Sequence, residues 1–150
     1  MKILFVCLGN ICRSPLAHGI AQDLNEKHSL NLEIDSAGTS NWHNGENPCA
    51  NSIKVAKQNG IDISSQHSRQ VTKQDFEYYD LIIGLDGSNI ENLESMGCKT
   101  PLLLGDFGFN GADVPDPYFF NGFEGFDKVF SMIEICVTNL LERKLSTTLS

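Results

Sequence analysis

The 150-residue chain has little positive charge and no long apolar run. It carries 11 lysines and arginines against 19 aspartates and glutamates, which gives a formal net charge of −8. This balance argues against nucleic acid or an anionic membrane as a standing partner. No stretch approaches the length of a membrane span, and the apolar run before Gly9 is too short for a signal peptide. Any anion-binding site must therefore be positive only locally.

The cysteines show neither the spacing of a disulfide framework nor that of a metal site. Five is an odd count, which predicts reduced thiols in a reducing compartment, and we expect a cytoplasmic protein. Cys7 and Cys12 have no partner histidines at a zinc-binding spacing, so no metal is expected. Internal repeats and linkers are also missing. At this length we expect one domain spanning 1–150.

Apolar runs alternate with amphipathic segments along the chain. The pattern predicts strands near 3–6, 30–36, 79–84 and 101–104. It predicts helices from 15, at 48–60, 72–78 and 86–97, and from 126 onward, with a Gly- and Pro-rich loop at 105–125. Such alternation predicts an α/β three-layer sandwich, with a central four-stranded parallel sheet and helices on both faces. Functional loops are then expected at the carboxyl ends of the strands.

The segment between the first strand and the first helix has the composition of an anion-binding loop. Ser14 is predicted as the helix N-cap and Pro15 as the first helical residue. A turn that opens a helix directs backbone N–H groups and the positive end of the helix dipole toward one point. Gly9 and Asn10 are residue types that readily adopt positive φ angles. The segment is therefore predicted to bind an oxyanion.

Two side chains make this loop reactive as well as binding. Arg13 offers a planar fork that matches two phosphoryl oxygens. Cys7 lies in the same positive field, which favours its thiolate and makes it a nucleophile at neutral pH. Ser14 can donate its hydroxyl proton to that sulfur. The alternative is a buried strand-end cysteine and a surface arginine beside an ordinary turn.

The run VCLGNICRSP at 6–15 resembles the low-molecular-weight protein tyrosine phosphatases. Similar segments extend over nearly the whole chain, including DSAGT at 35–39 and DPY at 116–118. The resemblance implies a flavodoxin-like fold and a cofactor-independent acid phosphatase that acts on phosphotyrosine-containing proteins. Catalysis would proceed through a phosphocysteine on Cys7. The loop residues expected to surround phosphate or another oxyanion are Leu8, Gly9, Asn10, Ile11, Cys12 and Ser14.

Protonation of the leaving group requires a carboxylic acid on a loop that reaches over the pocket. Asp116 is the candidate, because it matches the family's Asp-Pro-Tyr motif and two prolines stiffen its loop. The same residue types are common in ordinary turns. Asp113 and Asp106 are the competing carboxylates.

Aromatic residues in two loops are expected to form walls around a phenyl ring. Trp42, Tyr118 and Phe119 are the candidates for these contacts, although aromatic loop residues are often simply packed. Ile11 occupies a position where the resemblance implies threonine in arginine phosphatases. Isoleucine there favours phosphotyrosine.

The resemblance also implies a hydrogen-bonded network behind the loop. Ser36 is expected to bond Asn10 and hold its backbone, and His67 to join the same network. A lone histidine in a polar stretch is more often a surface residue. The family's acid–base pair at the start of the second helix is missing, since this chain has Cys49, Ala50 and Asn51 there.

Cys12 has two interpretations. It is either a small buried filler or a resolving thiol that forms a disulfide with oxidised Cys7.

Two other functions remain open from the sequence. An arsenate reductase would need further cysteines after the third strand, and 84–96 contains none. A non-catalytic phosphoprotein-binding module would not need Cys7, Arg13 and Asp116 together.

Overall fold

Four parallel strands form one sheet in the order β2–β1–β3–β4 in the computed structural model, which describes residues 1–117 and 123–149. The strands are β1 (Lys2–Cys7), β2 (Glu33–Gly38), β3 (Leu81–Gly84) and β4 (Leu102–Leu103). The helices are α1 (Arg13–His28), α2 (Ala50–Gln58), α3 (Lys73–Tyr78), α4 (Gly87–Ser95) and α5 (Glu124–Leu149). A short 3₁₀ helix, Leu104–Phe107, follows β4. The predicted parallel α/β sheet is confirmed.

Strand β1 is interior to the sheet and is buried on both faces. Phe5 and Cys7 face the layer that contains α1, α2 and α5, whereas Leu4 and Val6 face the layer of α3 and α4. An unbroken apolar run is what a strand covered on both sides requires. The sheet therefore presents the carboxyl end of β1, with Cys7, at the middle of one edge.

The helices confirm most of the predicted caps and faces. Asp86 accepts a 2.8 Å hydrogen bond from the Asn89 amide at the start of α4, and Thr72 and Asp75 form a capping box on α3. The predicted apolar stripe of α5 is buried. Its members are Phe126, Val129, Phe130, Ile133, Val137, Leu140 and Leu141. None of the helices in the described residues combines the length and apolarity that crossing a membrane requires.

Two local predictions were wrong. Ser14 is not an N-cap, because α1 begins at Arg13 and Cys12 takes the capping position without a side-chain bond. The segment 105–125 is predicted to be a loop, but its first three residues belong to the 3₁₀ helix Leu104–Phe107. Gly105 packs there against the Ala112 backbone so closely that a Cβ would lie 1.7 Å from that carbonyl oxygen. The chain therefore folds back immediately after β4.

Gly38 ends β2 directly against the loop that follows β1. A Cβ at this position would lie 2.7 Å from the Leu8 carbonyl oxygen and 3.1 Å from the Gly9 carbonyl carbon. Gly38 also accepts from the Val71 amide and donates to the Arg69 carbonyl, both at 2.8 Å. Backbone surrounds the site on two sides, so an added methyl group has no flexible neighbour to displace.

We expect Gly38→Ala to lower the free energy of unfolding by about 1–3 kcal/mol, the usual cost of overpacking. Urea denaturation measures this change. Gly87→Ala is the matched control, because a Cβ there would lie 3.6 Å from Asp113 Oδ1, an ordinary contact. Equal stability of the Gly38→Ala protein and the wild type would show that the loop is not constrained at this contact.

Candidate active site

Three carbonyl groups of the loop at 8–12 bond to groups outside it, those of Leu8, Ile11 and Cys12. Ser40 donates to the Leu8 carbonyl from both its amide and its hydroxyl at 3.0 Å. The Cys49 amide donates to the Ile11 carbonyl at 2.7 Å, and the Ser52 hydroxyl donates to the Cys12 carbonyl at 3.1 Å. In a trans peptide the N–H points opposite to the C=O. The next amides along the chain therefore point toward the concave side of the loop, as an anion site requires.

Cys7, Asn10 and Ser14 form a tight hydrogen-bonded triangle at the base of the loop. The Asn10 amide N–H donates to Cys7 Sγ at 3.2 Å, and Asn10 Nδ2 donates to Ser14 Oγ at 2.7 Å. Ser14 Oγ lies 3.0 Å from Cys7 Sγ. Because the hydroxyl oxygen already accepts from Asn10, its own proton is available to the sulfur. Two donors therefore face Cys7, which is 3% exposed.

Asn10 keeps the left-handed conformation predicted for it, with φ 57°. Its Oδ1 accepts a 3.1 Å bond from the Arg69 amide. The Arg69 side chain is fixed in turn, since it donates to Asp35 at 3.1 Å and to both oxygens of Asp75 at 2.9 and 3.1 Å. Burial opposes the charge on both partners, yet these bonds raise the pKa of Arg69 and lower that of Asp75. The ion pairs of the Arg69 side chain therefore fix the position of the Arg69 backbone amide, which in turn binds the Asn10 side chain.

The predicted network around Asn10 was wrong in its members. Ser36 Oγ lies 3.1 Å from His18 Nδ1 on α1, because Ser36 is on the α1 side of β2, in register with Phe5. His67 is exposed. Arg69 and Ser14 supply the bonds predicted for Ser36 and His67. The pKa of His18 is lowered by its burial, which outweighs the nearby Asp35 carboxylate.

Arg13 is held in place by two acceptors on different elements. Its Nη1 donates to Asp86 Oδ2 at 2.6 Å and to the Val114 carbonyl at 2.9 Å. Burial alone would lower the pKa of Arg13, but the Cys7 sulfur, Asp86 and Asp116 together raise it. Both Nη1 protons are used in these bonds, so the Nε and Nη2 protons form the fork that remains for a ligand.

The three candidate acids differ clearly in their surroundings. Asp116 is half-buried and near enough to Arg13 to contribute to the raised pKa of that group. Asp113 Oδ1 accepts a 2.8 Å bond from the Gly87 amide at the start of α4. Asp106 is exposed on the 3₁₀ helix. Of the three carboxylates, that of Asp116 is the one that contributes to the raised pKa of Arg13, whereas that of Asp113 binds a helix end.

The rim of the site contains exposed apolar side chains. Leu8 is 40% exposed and Trp42 is 72% exposed. His43, next to Trp42, packs on the loop, since its Cδ2 lies 3.0 Å from where a Gly9 Cβ would be, and its Nδ1 lies 2.7 Å from Glu46 Oε2. The two other predicted wall residues, Tyr118 and Phe119, lie outside the described residues.

Several residues of the site could not be found from the sequence pattern. Asp86 has a detectable signal as a helix cap, but its second oxygen binds Arg13. Arg69 binds Asn10 through its backbone amide, and a backbone contact cannot be recognised from the type of residue in the sequence. Ser52 was not predicted at all. Within the part of the chain that the structure describes, no group of three or more His, Cys, Asp and Glu side chains could hold a metal ion.

Comparison with known proteins places this site in one family. The family model for low molecular weight phosphotyrosine protein phosphatase matches residues 2–149. A Bacillus subtilis low molecular weight protein-tyrosine-phosphatase is 42% identical over 132 residues, covering 83% of this chain and 85% of that protein.

Solved structures give the same result. An Entamoeba histolytica protein tyrosine phosphatase with Hepes in the active site superposes with a TM-score of 0.91 at 33% identity, over 99% of each chain. A Drosophila arginine phosphatase superposes with a TM-score of 0.88 at 33% identity, over 96% of this chain and 98% of that one. This chain belongs to the low molecular weight protein tyrosine phosphatase family, whose members are phosphoric monoester hydrolases.

Proposed function

We propose that this chain hydrolyses phosphotyrosine and small aryl phosphates through a phosphocysteine on Cys7. The observation that supports this most directly is the arrangement around that sulfur. Two hydrogen-bond donors face it, from Asn10 and Ser14, and the raised pKa of Arg13 reflects its proximity. A nucleophile, an anion-binding loop and a fixed guanidinium thus meet at one strand end.

In the first step the Cys7 thiolate attacks phosphorus in line with the departing phenol oxygen. The Arg13 fork and the inward amides of the loop bind the equatorial oxygens, where charge increases in the transition state. Asp116 donates a proton to the phenol oxygen as it leaves. Asp86 and the Val114 carbonyl keep the fork oriented, which preserves the geometry without rearrangement during the reaction.

In the second step water attacks the phosphocysteine and releases phosphate. Asp116, now a carboxylate, accepts a proton from that water. The Ser14 hydroxyl, 3.0 Å from the sulfur, stabilises the thiolate as it departs. This sequence returns the enzyme to its starting state and needs no cofactor.

The substrate class follows from the depth of the nucleophile. Cys7 is 3% exposed at the base of the loop, so a long side chain such as phosphotyrosine brings its phosphate to the sulfur more readily than phosphoserine does. Trp42, Tyr118 and Phe119 are proposed to contact the ring, and proteins containing phosphotyrosine are the proposed partners. The five thiols, none of them in a disulfide, fit the cytoplasm. An arsenate reductase would use thiols in 84–96, which has none.

We expect Cys7→Ser to abolish hydrolysis of p-nitrophenyl phosphate while leaving vanadate binding largely intact. The loop amides and Arg13 remain, whereas a serine hydroxyl is a far weaker nucleophile. Turnover assays and calorimetric titration with vanadate measure the two effects. More than a trace of remaining activity would show that another group attacks phosphorus.

We expect Asp116→Asn to lower kcat about 10²–10⁴-fold for aryl phosphates with poor leaving groups and much less for those with good ones. The acid matters only where the departing oxygen needs a proton. Asp113→Asn is the matched control, and it should show no dependence on the leaving group. The reverse result would assign the acid to Asp113.

We expect phosphotyrosine peptides to be hydrolysed with a higher kcat/KM than phosphoarginine peptides. Ile11 supplies an apolar side chain at the loop edge, and Ile11→Thr should shift the ratio toward phosphoarginine. Parallel phosphate-release assays on the wild type and this variant measure the ratio. Faster turnover of phosphoarginine by the wild type would contradict the proposed substrate class.

A further inference from the structure

Cys49 lies on the outer side of the phosphate loop, beside Cys12. Its amide donates to the Ile11 carbonyl at 2.7 Å, and its Sγ lies 3.0 Å from Ser52 Oγ. The same Ser52 hydroxyl donates to the Cys12 carbonyl at 3.1 Å. The acid–base pair implied by the family resemblance is missing here, and this chain has a thiol in its place. Three of the five cysteines therefore gather around one loop.

These bonds bring the two residues within the span of a disulfide. The 2.7 Å bond to the Ile11 carbonyl, together with standard backbone dimensions, keeps the Cα atoms of Cys12 and Cys49 less than about 7 Å apart. Disulfides usually join Cα atoms about 4.4–6.8 Å apart. Ser52 Oγ contacts both the Cys49 sulfur and the Cys12 carbonyl oxygen, so these two atoms lie on either side of one hydroxyl group. The separation of the Cα atoms is therefore compatible with a disulfide between Cys12 and Cys49.

The hydrogen bonds define the resting state of Cys49. Ser52 has one hydroxyl proton, and it is donated to the Cys12 carbonyl. The Cys49 S–H therefore donates to Ser52 Oγ, and Cys49 is not in a disulfide. It is half-buried, whereas Cys12 is only 7% exposed. Cys49 is thus the more open of the two toward water.

We propose that Cys49 is a disulfide-forming site that takes over the oxidised state of Cys7 through Cys12. This proposal rests on the proposed role of Cys7 as the nucleophilic thiolate. The Cys7 sulfur first attacks peroxide, which forms an S–O bond, breaks the O–O bond and releases hydroxide. The Cys12 sulfur then attacks Cys7, forming the S–S bond as water leaves with the Cys12 proton.

The last step is thiol–disulfide exchange and involves no further oxidant. Cys49 loses its proton to water and attacks the Cys12 sulfur, which forms the Cys12–Cys49 bond and breaks the Cys7–Cys12 bond. Cys7 leaves as a thiolate. The protein has then lost two electrons to peroxide, and its oxidised state is the disulfide between Cys12 at the start of α1 and Cys49 at the start of α2. Cys7 is reduced and becomes reactive again.

The remaining two cysteines provide a matched control. Cys98 packs on the opposite face of the sheet, and Cys136 is in α5. Burial raises the pKa of both thiols, to about 11 for Cys136. Cys98 packs in a different core cluster from Cys7, so replacing Cys98 removes a thiol without touching the three cysteines at the loop.

Peptide mapping after oxidation tests the proposal. The wild type, Cys49→Ser and Cys98→Ala proteins are treated with one equivalent of peroxide, quenched with catalase, incubated without reductant, alkylated with iodoacetamide under denaturing conditions and digested with trypsin. Cleavage gives one peptide of residues 3–13, with Cys7 and Cys12, and another of residues 28–54, with Cys49. The serine variant keeps a hydroxyl next to Ser52, so the local hydrogen bond is retained.

We expect the wild type and Cys98→Ala proteins to yield peptides 3–13 and 28–54 joined by a disulfide, with the alkyl group on Cys7. Cys49→Ser should instead yield peptide 3–13 short of two hydrogens and with no alkyl group. Failure of the wild type to give the joined peptides, or an alkyl group on Cys12 in them, would overturn the proposal. The proposed function fails separately, if Cys7→Ser retains turnover.

Discussion

The structure depends on the loop at 8–12, whose outer carbonyl groups bind neighbouring segments. The amides on its inner surface are then available to a ligand. Backbone and side-chain donors on neighbouring segments take the carbonyls of Leu8, Ile11 and Cys12. The peptide plane then turns the next amides inward. Asn10 carries the conformational cost of the left-handed region, which is smaller for asparagine than for most other non-glycine residues. The bonds from Asn10 to Ser14 and from the Arg69 amide offset that cost.

The same constraint explains how an acidic protein forms a site for a dianion. The net charge of −8 disfavours phosphate at long range, and solvent screens this field within about 10 Å at 0.1 M salt. Inside the loop the local groups dominate, because they are buried and fixed. Asp86 lies next to Arg13 without cancelling its function, since it binds only Nη1 and directs the rest of the guanidinium. Carboxylates here orient the cation and do not neutralise the site.

The sequence was sufficient for the parallel sheet and for the placement of Cys7 and Arg13 at the two ends of one loop, because both depend on local patterns. An apolar strand followed by a glycine-containing turn and a helix can fold in few other arrangements. The supporting contacts are different, since they join residues distant along the chain. Arg69 reaches Asn10 through a backbone amide, and any residue type at that position carries the same N–H. Ser36 was assigned to Asn10 from resemblance, yet its side of β2 directs it to His18.

Cys49 shows how a departure from the family pattern can be compatible with the site. The segment at 49–52 bonds to the loop through the Cys49 amide and the Ser52 hydroxyl, so the loop contacts do not require a carboxylate there. A charged side chain at the start of α2 therefore has no necessary part in the geometry of the loop. Because the loop contacts do not use the side chain at position 49, a thiol can occupy that position. The thiol there lies 3.0 Å from Ser52 Oγ, so the serine that bonds the loop also contacts the residue that departs from the family pattern.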